Sequence, residues 1–334
     1  MTRIAILGAG SWGTALAVHL GHIGHDVRLW ARDAALAEEM AIRRANAVYL
    51  PDVTLPPTVR PESSLERATH AAGLVISAVP SHGVRAVWRS ARPLVTRSAI
   101  IVSATKGLET ETLLRMTQVI GQELGDGRPI AALSGPSFAA EVARQLPTAV
   151  SVACVDPELT ATVQSELRAR YFRLYASSDV IGVEIGGALK NIIAIAAGVV
   201  EGLGLGHNAL AGLVTRGLAE ITRLACAAGG RRETLSGLTG LGDLVLTCTG
   251  SLSRNRHLGI ELARGRPLAE ILAGMKMVAE GVRTTEAALA LGTRLGVELP
   301  IAMQMADVLA GRRSPAAAVE ELMLRRQRAE AEAG

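Results

Sequence analysis

Residues 4–17 constrain the fold of this chain more than any other stretch. A short apolar run, Ile4-Ala5-Ile6-Leu7, breaks into Gly8-Ala9-Gly10-Ser11-Trp12-Gly13 and continues as an Ala/Leu-rich segment. That order reads as strand, glycine turn and helix. Gly8 permits a tight turn, Gly10 leaves room for a pyrophosphate against the backbone, and Gly13 lets the helix pack close to its strand. The helix N-terminus then offers unpaired N–H groups to an anion. Glycine turns are common, so the motif alone says little. Here it follows a strand, opens an apolar helix and leads to a second strand, Asp26-Val27-Arg28-Leu29-Trp30. That context predicts a dinucleotide site.

The end of the second strand bears on which dinucleotide. NAD-preferring sites ordinarily place an acidic residue there, where it bonds the ribose 2′-hydroxyl. This chain has Arg32 first and Asp33 after it. A guanidinium pairs with a 2′-phosphate, which tilts the expectation from NAD toward NADP. The plainer reading of Arg32 is a solvated charge beyond a strand.

Apolar β-type runs recur at 74–79, 99–103, 130–133, 148–153 and 172–175, with helical segments between them. Near-continuous apolar strands alternating with helices imply a parallel sheet covered on both faces. After Asp179 such runs stop, and the chain turns Ala/Leu/Gly/Glu-rich with helical periodicity. The expected fold is therefore α/β: a doubly wound, Rossmann-like parallel sheet over residues 1–178, then an all-α domain over 179–334. The stretch from Thr239 to Ser253 reads as a long loop, and the charged tail after Arg325 as a fraying end.

Composition narrows the function. At 334 residues, 49% of them hydrophobic, the chain is long enough for two domains with their own cores. Aromatics are 2%, too few for a base-stacking platform, and the net charge of +4 is spread along the chain. Arg325-Arg326-Gln327-Arg328 is the one basic run, and it reads as a solvated helix face. Small anions suit this charge at least as well as nucleic acid, so no nucleic-acid partner is expected. The three cysteines have no CxxC pair and the seven histidines no ligand spacing, so neither a disulfide framework nor a metal is expected. A reducing compartment follows, and a strand beginning this near Met1 leaves no room for a signal peptide. The expected location is cytoplasmic. Residues 192–214 are the most apolar long stretch, but Glu201, His207 and Asn208 interrupt it, so it reads as buried helix, not a membrane span.

In a doubly wound sheet, ligands collect beyond the carboxyl ends of the strands. Lys106, in Ser103-Ala104-Thr105-Lys106-Gly107, stands at such an end and is expected to point into the crevice as a cation. An ordinary surface lysine is the competing reading. Ser134-Gly135-Pro136-Ser137 ends the next strand and can offer N–H groups and a hydroxyl to an anion or carbonyl. Lys190 interrupts the apolar stretch Gly186–Ile195, where helical spacing gives it no carboxylate on its own helix. Desolvation lowers a lysine pKa, as proton transfer near neutral pH requires. Against that stands a lysine snorkelling from a helix edge. Asp243, after Gly240-Leu241-Gly242, is either a helix cap or the carboxylate that orients Lys190. Ser251-Leu252-Ser253-Arg254-Asn255-Arg256 has the composition of a phosphate clamp, or of a solvated charge cluster.

These pieces occur together in the bacterial glycerol-3-phosphate dehydrogenases, which the chain resembles over nearly its whole length. The matching segments include GAGSWGTALA at 8–17, SATKGLE at 103–109, LSGPSFAAEVA at 133–143 and VAEGVRTT at 278–285. LKNIIAIAAGVVEGLGLGHNALAGLVTRGL at 189–218 and LTGLGDLVLTCTGSLSRNRHLG at 238–259 complete the series. The resemblance implies cofactor contacts at Ser11, Trp12, Arg32, Tyr49, Lys106, Ala139, Arg254, Val278 and Glu280. It implies that Lys106, Gly135, Ser137, Lys190, Asp243, Ser253, Arg254 and Asn255 hold the substrate, with Lys190 as proton acceptor. Lys106, Lys190 and Asp243 are thus the expected catalytic group. The implied reaction joins dihydroxyacetone phosphate and NAD(P)H to sn-glycerol 3-phosphate, the glycerophospholipid backbone, in a homodimer. Two alternatives remain at this stage. One is a dehydrogenase of similar architecture for a β-hydroxy acid or ketopantoate; the other is a non-catalytic nicotinamide-binding redox sensor.

Overall fold

The computed structural model describes residues 1–275 and 279–326. They fall into two compact units: Met1–Thr105 with Met116–Val180, and Lys106–Arg115 with the chain from Ile181 onward. The expected division at residues 178–179 cuts the chain once. The structure cuts it further, because the ten residues from Lys106 belong with the helical unit.

The first unit is built on an eight-stranded sheet. Its strands, with a separate hairpin, are β1 (Arg3–Leu7), β2 (Asp26–Trp30), β3 (Ala45–Asn46), β4 (Leu50–Thr54) and β5 (Val59–Glu62). They continue as β6 (Leu74–Ser77), β7 (Ile100–Ser103), β8 (Ile130–Ser134), β9 (Thr148–Ala153) and β10 (Phe172–Ser177). The order across the sheet is β10-β9-β8-β7-β6-β1-β2-β5, with β3 and β4 paired apart from it. Central strands are buried along most of their length, as a sheet covered on both faces requires. β1 sits between β2 and β6, so the chain order reverses beside the glycine turn.

Three details depart from the sequence reading. β8 and β9 run antiparallel, with Leu133 opposite Val152, so the sheet is mixed at this join. The apolar and small side chains of β9 carry no mark of its direction. β5 went unpredicted because Pro61 lies within it. It pairs only with β2 and forms the sheet edge, where a missing N–H does little harm. Finally, the expected loop from Thr239 to Ser253 is largely helical. A π-turn over Leu238–Gly242 runs into the Asp243–Thr249 helix, and the Arg254–Ala263 helix follows shortly after.

The second unit is helical among the described residues, apart from one short bridge between Leu108 and Arg115. Its centre is the Val180–Gly202 helix, apolar and long enough to cross a membrane but with 89% of its apolar window inside the protein. Ile185, Leu189, Ile192, Ile193 and Ile195 pack there into the core. The long apolar stretch is not one helix: the chain breaks after Gly202 and restarts with the Gly206–Ala227 helix, whose first half is largely exposed. Gly198 and Gly259 let the Val180–Gly202 and Arg254–Ala263 helices touch backbone to backbone. A Cβ on Gly259 would lie 2.0 Å from the Ile195 carbonyl oxygen, so no larger residue fits.

Candidate active site

The glycine turn forms the first cluster. Gly8 has φ +114°, and a Cβ on it would meet the Ala78 carbonyl oxygen at 2.7 Å. A Cβ on Gly13 would lie 1.9 Å from the Gly8 carbonyl oxygen, so only glycine lets the Ser11–His22 helix start this close to its strand. Gly10 is different: a Cβ there would meet nothing within 4 Å. That open space lies at the N-cap of a twelve-residue helix with no side-chain cap and no acidic residue in its first turn. A pyrophosphate fits this setting, because N–H groups and helix dipole favour an anion and no Cβ blocks its approach.

Around the turn, the Ser11 hydroxyl donates to the Tyr49 carbonyl oxygen at 2.7 Å. The Trp12 indole N–H is buried without a hydrogen-bond partner among the described residues. Asn46, absent from the sequence reading, is fully buried and ties the β3–β4 hairpin to the turn. Its amide donates to the Ala9 carbonyl oxygen at 2.9 Å and the Thr14 hydroxyl at 2.8 Å. Its own Oδ1 accepts the Tyr49 N–H at 3.1 Å. Asp33 caps the Ala34–Arg43 helix, accepting from the N–H of Ala35 at 2.9 Å and of Leu36 at 3.4 Å. Arg32 is exposed and makes no hydrogen bond or ion pair among the described residues. Gly135 turns the chain after β8 at φ +135°, Ser137 donates its hydroxyl to the Gly135 carbonyl oxygen at 2.9 Å, and Ala139 opens a five-residue helix.

The second cluster is electrostatic and lies wholly in the helical unit. Lys190 is only 7% exposed in the middle of the central helix. Asp243, fully buried, is the first residue of its helix; the π-turn supplies the N-cap at Gly242, leaving the carboxylate free of that duty. One carboxylate oxygen accepts from Lys190 Nζ and the other from Lys106 Nζ at 2.7 Å. Lys190 Nζ also donates to the Thr247 hydroxyl at 2.8 Å. Thr247 directs its own proton to the Asp243 carbonyl oxygen at 2.7 Å, so its lone pairs face the lysine. The structure thus brings Lys106, Lys190 and Asp243 together and adds Thr247, which the sequence reading missed. Its signal was there: Asp243 and Thr247 stand four apart, on one helix face.

Burial pulls the Lys190 pKa down from the usual lysine value to about 8. Asp243 opposes that shift, and the Lys106 charge reinforces it. Two lysines on one carboxylate leave a net positive group, suited to an oxygen that becomes negative.

Beside this group, Asn255 donates to Asn191 Oδ1 at 3.0 Å and accepts the Gly281 N–H at 3.1 Å. It links the residue after Lys190 to the start of the Glu280–Leu295 helix. Ser253 is an N-cap, its hydroxyl oxygen accepting the Arg256 N–H at 3.3 Å. Arg256 pairs with Glu201 at 2.5 Å, whereas Arg254 is exposed, with Glu280 as its favourable charge. Val278 lies outside the described residues.

Residues 3–160 match the family model described as the NAD-dependent glycerol-3-phosphate dehydrogenase N-terminus, and residues 179–320 match that for its C-terminus. The chain is 53% identical over 276 residues to a glycerol-3-phosphate dehydrogenase (NAD(P)+) of Koribacter versatilis, covering 81% of this chain and 82% of the relative. It is 54% identical over 279 residues to one of Acidobacterium capsulatum, with the same coverage of 81% and 82%. The crystal structure of glycerol-3-phosphate dehydrogenase from Coxiella burnetii superposes with a TM-score of 0.94 at 41% identity, covering 97% of this chain and 99% of that one.

Proposed function

The chain belongs to the NAD-dependent glycerol-3-phosphate dehydrogenase family, and on that premise we propose that it interconverts dihydroxyacetone phosphate and sn-glycerol 3-phosphate. The observation that carries this reading is Lys190, a lysine held in a protein core between Asp243 and Thr247. A nicotinamide dinucleotide held at the glycine turn would supply the hydride chemistry at the substrate's C2, and the residues of the chain handle the proton on its oxygen. In reduction, protonated Lys190 gives its third N–H to the developing alkoxide and is left as the amine. In oxidation, the neutral amine takes the hydroxyl proton. Asp243 and Thr247 aim Nζ through both steps, and Lys106 adds a second positive charge beside the oxygen. Arg254, in the segment with the composition of a phosphate clamp, is the cation assigned to the phosphate.

The glycine turn holds the dinucleotide at Gly8, Gly10, Ser11, Trp12 and Gly13. Arg32 reads a 2′-phosphate, because Asp33 is occupied as a helix cap while Arg32 makes no hydrogen bond or ion pair among the described residues. NADPH is then favoured over NADH. The product is the glycerophospholipid backbone, made in the cytoplasm by a homodimer; a mass measurement in solution checks the dimer. Oxidation of NADPH or NADH is to be followed with dihydroxyacetone phosphate, with ketopantoate and with no substrate. Turnover with the triose phosphate alone is expected. Turnover with ketopantoate alone points to a carboxylate-binding reductase, and turnover with neither to a redox sensor.

A further inference from the structure

Lys106 reaches Asp243 from a segment with its own architecture. Residues 106–115 double back as a tight hairpin, closed by the Leu108–Arg115 bridge. Inside it, the Glu109 N–H donates to the Leu114 carbonyl oxygen at 3.0 Å and the Leu113 N–H to the Glu109 carbonyl oxygen at 2.8 Å. The Thr112 hydroxyl meets Glu109 Oε2 at 2.5 Å. Leu108 is buried in the helical core, and Leu113 packs against it. At the foot of the hairpin the Arg115 guanidinium pairs with Glu184, whose side chain is 5% exposed. Glu184 stands on the Val180–Gly202 helix, the same helix that carries Lys190.

We propose that the Arg115–Glu184 ion pair is a positioning clamp for the reaction: it anchors the Lys106 hairpin to the Lys190 helix and so holds both lysines on Asp243. The physical reason is placement. A surface lysine on an unanchored loop would reach Asp243 only part of the time, because its long side chain carries rotamer entropy. A guanidinium charge held by a buried carboxylate fixes the hairpin base instead. Arg115 and Glu184 touch no reacting atom in this scheme; they act through Lys106. The inference rests on the proposed role of Lys190.

The groups that face Lys190 are Asp243, Lys106, Thr247 and the Cys248 thiol. Among them Lys106 is the one whose charge opposes protonation, so freeing the hairpin should raise the Lys190 midpoint. The test uses the double variant Arg115→Met/Glu184→Met, which avoids leaving one charge alone in the core. Lysine 13Cε NMR on the whole protein without substrate, with Lys190→Arg to assign the signal, gives the Lys190 midpoint. The clamp predicts a higher midpoint with the thermal transition retained. It also predicts a fall in kcat/KM of about 10- to 100-fold, the size of effect a displacement of about 1 Å produces. A folded double variant with the wild-type midpoint and kinetics overturns the proposal. Should the double variant not fold, Glu184→Gln keeps the shape and removes the charge that holds Arg115. A raised midpoint and raised KM then support the clamp, and wild-type values overturn it. Failure of the wild type to turn over dihydroxyacetone phosphate would count against the proposed activity alone, since the NMR midpoint needs no turnover.

Discussion

The glycine turn and the lysine cluster are built on opposite principles. In the turn, function lies in what is missing: a Cβ at Gly8 or Gly13 would strike backbone, and the space beside Gly10 is open. In the cluster, function lies in what is added, because two lysines converge on one fully buried carboxylate. The turn draws on neighbouring residues of one strand-turn-helix unit. The cluster draws on positions 106, 190 and 243, which only the folded helical unit unites. A site made of backbone should therefore tolerate charge changes nearby and fail on added volume. A site made of charges should do the reverse.

The largest effect expected from this contrast is that of Lys190→Ala. General acid–base work is worth about 10² to 10⁴ in rate, so kcat should fall by that factor. Dinucleotide affinity, measured by fluorescence titration, should not change. A folded Lys190→Ala enzyme turning over at the wild-type rate would falsify the assignment. The pH profile sharpens the same point. With the Lys190 pKa at about 8, kcat/KM for glycerol 3-phosphate oxidation should rise through pH 8, as the amine loses its proton. For the reverse reaction, kcat/KM should fall above pH 8, since the ammonium is then the required form. Profiles without opposite slopes in the two directions would remove Lys190 as the proton carrier.

Arg32→Asp comes next in size. A charge-assisted bond is worth about 1.5–3 kcal/mol, or about one to two decades of affinity. NADPH binding should weaken by that much, and NADH binding should hold or improve. Equal losses for both would show that Arg32 does not read the ribose. This change touches the rim of the turn and leaves its backbone alone, so the expected effect is selective.

The two regions also differ in how well the sequence exposed them. The turn was legible because each of its requirements is local: strand, Gly8, Gly10, Gly13 and helix follow in order. Lys190 stood out for a local reason as well, as a charge with no carboxylate on its own helix. What no local pattern carries is partnership. Thr247 matters through a distant lysine, and Asn46 through the turn it supports from a hairpin with little β signal. The Lys106 segment lies between two strands of the sheet yet belongs with the helical unit, held there by Leu108 and by Arg115 on Glu184. The run from Thr239 misled because its glycines mark loops in sequence, whereas here they accompany a π-turn that leads into the Asp243 helix. β9 misled in direction alone, since its run of apolar and small residues reads the same either way along the chain.

The smallest expected effect makes the finest test of a site built from absence. Gly10 has φ −72° and ψ −177°, an extended backbone open to any residue. With nothing within 4 Å of its Cβ position, Gly10→Ala adds a methyl group without a clash. Alanine is a poorer N-cap than glycine but loses less entropy on folding, so stability should stay within about 1 kcal/mol of wild type. Dinucleotide binding should respond differently, because the methyl would occupy the space reserved for the pyrophosphate. An affinity loss of about tenfold, ~1.4 kcal/mol, is expected for NADPH and NADH alike, since both carry that group. Thermal melting beside cofactor titration separates the two quantities. An unchanged melting temperature with unchanged affinity would mean that the open space beside Gly10 holds no ligand. A lowered melting temperature with unchanged affinity would mean that the glycine serves the fold.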